Sequence, residues 1–194
     1  MAQARTGNAN RWRIMGWGLA GLLLLLPLAA MQFGDEVDWT ASDFVFAATM
    51  FGLVGGGFEL VVRRSPSLYY RAGAAAALLG AFLLVWINGA VGIIANESND
   101  ANLWFAAVIM VALLGALLAR FRPAGLSKAM IAAAAVQAGV ALVALTTDIG
   151  AGEHPMWRQQ LIGITGMFLC VWLGSAILFH HAARNEANGR SSRA

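Results

Sequence analysis

Six apolar runs separated by short charged connections constrain this chain more than any other feature of it. Crossing roughly 30 Å of hydrocarbon takes about 20 mostly apolar residues at about 1.5 Å of helical rise each. Residues 14–33, 44–62, 72–94, 103–119, 126–147 and 161–181 meet that requirement. The fold class expected is therefore all-α: a polytopic integral membrane protein with six transmembrane helices. Helices suit the bilayer because they satisfy their own backbone groups where no water can. Composition points the same way, with 59% hydrophobic and only 12% charged residues, where soluble domains carry roughly a quarter charged. Intrinsic disorder, a disulfide scaffold and a secreted globular enzyme are disfavoured.

The connections alternate in sign. Arg5, Arg11 and Arg13 precede the first run, and Asp35, Glu36, Asp38 and Asp43 follow it. Arg63, Arg64 and Arg71 come next, then Glu97 and Asp100, then Arg120, Arg122 and Lys128, then Asp148 and Glu153, and finally Arg184, Arg190 and Arg193. Twelve of the 13 basic residues fall on one side, Arg158 being the exception, and eight of the 10 acids fall on the other, leaving Glu59 and Glu186. The positive-inside rule puts the basic side and both termini in the cytoplasm. The net charge of +3 then reflects loop placement, and nucleic acid is not an expected partner. Trp39, Trp86, Trp104 and Trp157 near the acidic ends, with Trp12 and Tyr70 near the basic ends, read as headgroup-level anchors.

The first run resembles a signal peptide through its basic flank and Pro27-Leu28-Ala29-Ala30. Its length exceeds a usual signal core and no clean A-x-A site follows, so retention as a helix is expected, kinked at Pro27. The organisation expected is a disordered cytoplasmic N-terminus over 1–13, one six-helix domain over 14–181 and a disordered cytoplasmic tail over 182–194. A faint internal similarity relates 46–71 to 105–128. Phe46-Ala47-Ala48, Gly56 and Arg63 align with Phe105-Ala106-Ala107, Gly115 and Arg122. Parallel duplication of a hairpin or chance matching of alanine-rich helices would both produce it.

Few residues could carry chemistry. Glu59 is the one acid inside a run, and such residues are functional candidates because they are expensive there. It lies about 4.5 Å from the basic-side boundary, four residues before Arg63, in a favourable order for an ion pair. Gly52, Gly56 and Glu59 share a face, so the carboxylate is expected to meet a neighbouring helix, as a structural pair or as part of a proton or cation path. Asn88 and Gln137 are mid-run amides about 9 Å and 15 Å from the acidic-side ends. Such amides bond across helices or line a polar cavity. The segment Trp86–Asn102, including Glu97, is the least lipid-like stretch. It reads as a hairpin with Asp100 or Asn102 as N-cap, and its oxygen ligands could also hold a hard cation weakly.

Gly52-x-x-x-Gly56, Ala76-x-x-x-Gly80 and Ala135-x-x-x-Gly139 are small-x-x-x-small patterns for close helix packing. Cys170 is the sole cysteine, which excludes an intrachain disulfide and a Cys-based metal cluster. His180 and His181 are adjacent, at the expected end of the last helix, and His154 is on the opposite side, so neither a bis-histidine haem nor a buried zinc site is expected. No hydrolase, P-loop or dinucleotide fingerprint is present. No catalytic residue, metal site or cofactor is assigned.

At Glu59-Leu60-x-x-Arg63, Tyr70-Arg71-Ala72 and Leu84-Val85-Trp86-Ile87-Asn88-x-Ala90-Val91-Gly92-Ile93-Ile94, the chain resembles an uncharacterised family of small six-helix bacterial inner-membrane proteins. The likeness runs from the first run through Ala119-Arg120-Phe121-Arg122-Pro123 and more loosely into the last. It implies a bacterial inner-membrane location and supplies no functional residues, since no activity is assigned to the family. The family pattern has Gly-Ser-Glu where this chain has Ala95-Asn96-Glu97, which bears on a tight turn there. The function expected is a non-enzymatic accessory or structural component of the membrane, with the lipid bilayer, another membrane protein or a second copy as partner. The alternative is a small-solute or ion transporter or channel using Glu59, Asn88 and Gln137.

Overall fold

Helices form where the apolar runs meet residues that can cap them. The computed structural model describes residues 3–34, 37–152 and 155–191, with 3–12 and 190 as backbone alone. Helix α1 spans Gln3–Ala30 and α2 spans Ala41–Arg64. At the start of α2, Asp43 Oδ2 accepts from the Thr40 N–H at 2.8 Å and from the Thr40 hydroxyl at 2.7 Å. Arg63 and Arg64 close α2, where the helix dipole favours cations. Helix α3 (Leu68–Ala90) opens on Ser67, whose hydroxyl accepts from the Tyr70 N–H. A 3-10 turn, Asp100–Phe105, leads into α4 (Ala106–Leu118). Helix α5 (Pro123–Thr147) starts on a proline, which gives up no hydrogen bond at that position. Helix α6 is Trp157–Ser191.

The described chain is all-helical, and six helices are long and apolar enough to cross a membrane, the fourth being the 3-10 turn joined to α4. Backbone helix reaches back to Gln3 and forward to Ser191, covering most of both stretches expected to be disordered. Neither stretch holds a proline, and Ala182, Ala183 and Ala187 favour helix. Residues 1–2 and 192–194 lie outside the described residues. His180 and His181 therefore sit within α6 rather than at its end, with the His181 ring 5.5 Å from Tyr69.

The chain forms two compact units, Met1–Leu60 and Val61–Ala194. In the first, the Trp17 indole of α1 packs on Gly55 of α2, 3.0 Å from where a Cβ would stand. Gly52 and Gly56 have nothing within 4 Å of that position, so the packing face is one residue away from the expected one. Glu59, one turn beyond Gly55, shares it.

In the second unit, α6 buries Leu161, Thr165, Phe168, Trp172, Ser175, Phe179 and Ala182. These recur at alternating steps of four and three, the spacing of a supercoiled seam. Two serine hydroxyls clamp the seam at one level. Ser175 donates to Gly73 O of α3 at 2.8 Å, and Ser127 of α5 donates to Ala176 O at 2.8 Å. Gly80 of α3 also admits a close approach: a Cβ there would stand 2.8 Å from Val171 and 3.3 Å from the Trp172 ring. Gly139 faces open space, so Gly80 alone of the three small-residue patterns serves an interface as expected. Trp157, expected as an anchor, is instead buried against Gly150.

The two segments of the suggested duplication differ locally. Phe46 lies within α2 whereas Phe105 ends the 3-10 turn, and Arg63 is helical whereas Arg122 is the extended N-cap of α5.

Candidate functional site

The polar residues singled out by the sequence fall into three arrangements. The first belongs to the Met1–Leu60 unit. Glu59 accepts a forked pair of bonds from Arg13, Nε to Oε1 at 3.0 Å and Nη2 to Oε2 at 2.8 Å, and a third from Trp17 Nε1 at 2.9 Å. The Glu59 side chain is 21% exposed and that of Arg13 50%. A forked guanidinium–carboxylate pair is among the stronger polar contacts available. Spacing alone suggests Arg63 as the partner; the structure adds Arg13, 46 residues earlier, whose approach depends on α1 packing along α2. Trp17 is a site residue the sequence reading missed. Its signal is the i, i+4 spacing to Arg13, which puts both donors on one face.

The second arrangement closes the acidic end of α3. Residues 91–94, expected as the last turn of the helix, leave it after Ala90. Gly92 takes φ +70, with a Cβ position only 2.2 Å from Asn96 O, so no other residue fits. Ile93 and Ile94 are buried, and the Asn102 Oδ1 accepts both their N–H groups, at 2.9 and 2.8 Å. The Asn102 amide nitrogen donates to Ile94 O at 3.3 Å and to Asn96 O at 2.6 Å. Asn88 donates to the Asn102 carbonyl at 2.8 Å, and Gln160 of α6 to Gly92 O at 3.2 Å.

The expected N-cap, Asp100 or Asn102, is neither: Asn99 caps the 3-10 turn, its side chain accepting from the Ala101 N–H. Asn102 is the central tie of the loop. Ala95 holds φ +63, a left-handed conformation that alanine rarely takes. Glu97 is exposed outside this knot. Asn88 thus bonds to the loop's backbone. At the same end, the exceptional Arg158 pairs with Asp148, the left-handed C-cap of α5, and lies over the Trp157 ring.

The third arrangement is Gln137, fully buried on α5 with neither amide atom hydrogen-bonded. Thr165 Oγ1 and Trp172 Nε1 on α6 are likewise buried without partners, as is Asn88 Oδ1. Register places the first two together. Gln137 is ten residues along α5 from Ser127, and ten residues back along α6 from Ala176, the acceptor of Ser127, is Gly166, next to Thr165. An amide and a hydroxyl therefore share one level of the seam. A buried unpaired polar group costs roughly 1–3 kcal/mol. Gln137→Met, similar in length and without that penalty, is expected to raise stability by about 1–2 kcal/mol. Reversible unfolding in mixed detergent micelles measures it. A loss above about 1 kcal/mol would instead reveal a partner for the amide.

The first two arrangements tie α1 to α2 and close the loop after α3, whereas the third leaves its polar atoms unpaired. Among the described residues, no group of three or more His, Cys, Asp or Glu side chains is placed to hold a metal ion. No known protein family, curated sequence or solved structure matches the chain.

Proposed function

We propose that the chain is a non-enzymatic, multi-pass component of a bacterial inner membrane, with both termini cytoplasmic, that works by associating with another membrane protein in the bilayer. The observation that carries this reading is the forked Arg13–Glu59 pair with its Trp17 bond. A carboxylate inside a span would ordinarily serve a proton or cation path, and this one is engaged in a contact that fastens α1 to α2. Support comes also from Gly52 and Gly56, which present open space on α2 where a partner helix could approach closely. The opposite charge of the two ends supports the orientation.

Affinity capture of the full chain in native-lipid particles tests the reading. The expected result is one membrane protein recovered in fixed ratio, and proteoliposomes that pass no ions or small polar solutes. Saturable flux abolished by Glu59→Gln would overturn it. The unpaired Gln137 and Thr165 favour the second reading, a path for a small polar solute, and the same flux assay with Gln137→Met decides it.

A further inference from the structure

The basic end of the Val61–Ala194 unit is built around a turn that α4 and α5 make with two consecutive non-glycine residues in the left-handed region. Arg120 has φ 50 and Phe121 φ 58. Such a conformation costs on the order of 1 kcal/mol per residue and needs support. Phe121 N–H donates to Ala116 O at 3.0 Å, and Phe121 O accepts from the Tyr70 hydroxyl at 2.9 Å. The ring so held carries the Arg64 guanidinium 5.9 Å from its centroid, within cation–π range. Arg122, next in sequence, is the extended N-cap of α5. The turn thus fixes Phe121 between two arginines of the chain while a third, Arg64, covers its ring.

Charge at this end is lopsided. Leaving aside Arg63, which lies one turn from Glu59, Arg64, Arg71, Arg120, Arg122, Lys128 and Arg184 stand against one acid, Glu186. The Arg71 guanidinium is spent on backbone, bonding Ser65 O at 2.7 Å and Val62 O at 2.9 Å, and brings no carboxylate with it. Leu118, two residues before the turn, is 85% exposed, and Leu68, two residues before the Tyr70 that bonds Phe121 O, is 78% exposed. Guanidiniums that can fork onto a phosphate lie next to bare aliphatic surface. The molecule that matches both halves has an anionic head and acyl chains.

We infer that the Arg64–Phe121–Arg122 platform is a binding site for an anionic glycerophospholipid, the guanidiniums taking the phosphate and Leu118 and Leu68 the upper acyl chain. The site rests on the membrane reading above, because a lipid can reach it only if this end lies at headgroup depth. A zwitterionic lipid carries its own cation and gains less from the cluster.

Native mass spectrometry of the full chain in a neutral detergent tests the site with titrated phosphatidylglycerol, phosphatidylcholine and inorganic phosphate. Phosphatidylglycerol is expected to be retained at roughly tenfold lower concentration than phosphatidylcholine, the effect of one or two well-placed cations. Arg64→Gln with Arg122→Gln is expected to erase that difference. Arg158→Gln, at the opposite end, is expected to leave it intact. Arg64→Lys with Arg122→Lys retains charge without the fork and is expected to keep only part of the preference, which guards against mistaking misfolding for lost binding. Equal retention of the two lipids, an equal loss in Arg158→Gln, or displacement by millimolar phosphate would each overturn the inference. Recovery of the intact chain from the soluble fraction without detergent would instead overturn the membrane reading itself.

Discussion

Asn102→Leu is expected to lower the unfolding free energy by roughly 3–5 kcal/mol, because it strands several buried backbone groups at about 1–3 kcal/mol each. Asn102 is 4% exposed, and its side chain serves the N–H groups of Ile93 and Ile94 and the carbonyls of Ile94 and Asn96. Leucine has similar bulk and none of those bonds. Local relaxation of the loop keeps the loss below the full sum. Asn102→Asp retains the acceptor toward Ile93 and Ile94 but sets an oxygen against Asn96 O, which the native amide nitrogen approaches to 2.6 Å, so it is not expected to rescue. Two measurements check this: denaturant unfolding in micelles, and limited proteolysis, which should open first within 91–99. A loss under about 1 kcal/mol would mean that the loop's backbone finds other partners.

That same loop shows where sequence reading runs out. Val91, Ile93 and Ile94 are as apolar as the helix before them, so local composition continues α3 through them. What ends the helix is Gly92 in the left-handed region and an amide from Asn102, ten residues beyond it. Neither the partner nor the bond direction is written in the apolar pattern. Glu59 divides in the same way. Its expense inside an apolar run was readable from chemistry alone, and so was its need for a cation. The choice of Arg13 follows from how α1 lies on α2, which a single helix's periodicity does not contain.

Small residues were the least legible. A search for two glycines four apart selects Gly52 and Gly56, but Gly55 admits the Trp17 indole, because what matters is the face opposite a bulky ring. By contrast, the α6 seam was available in the sequence all along. Its four-and-three spacing runs from Leu161 to Ala182 and is obscured only by Thr165 and Ser175, which a purely apolar count skips.

The contact between α4 and α5 is where a small change is expected to have the other large effect. Two small-residue pairs face each other there in antiparallel register. A Cβ on Gly115 would stand 2.6 Å from Ala129 Cβ and 3.2 Å from its Cα, and one on Gly125 would stand 2.5 Å from Ala119 Cβ and 3.2 Å from its Cα. Each glycine meets an alanine and not the end of a flexible side chain, so nothing can swing aside. Gly115→Leu must therefore push the helices apart along their length, disturbing the buried Val108 and Ala129. The expected loss is about 3 kcal/mol or more, the upper end for overpacking. Gly115→Ala is expected to lose about 1–2 kcal/mol. Adding Ala129→Gly removes the opposing methyl and should recover most of that loss, a coupling that a double-mutant cycle reads directly. Gly56→Ala provides the contrast: its Cβ would meet nothing within 4 Å, and alanine suits a helix better than glycine, so stability should hold or rise. If Gly115→Ala and Gly56→Ala behaved alike, or if Ala129→Gly failed to compensate, close approach would not be what joins α4 to α5.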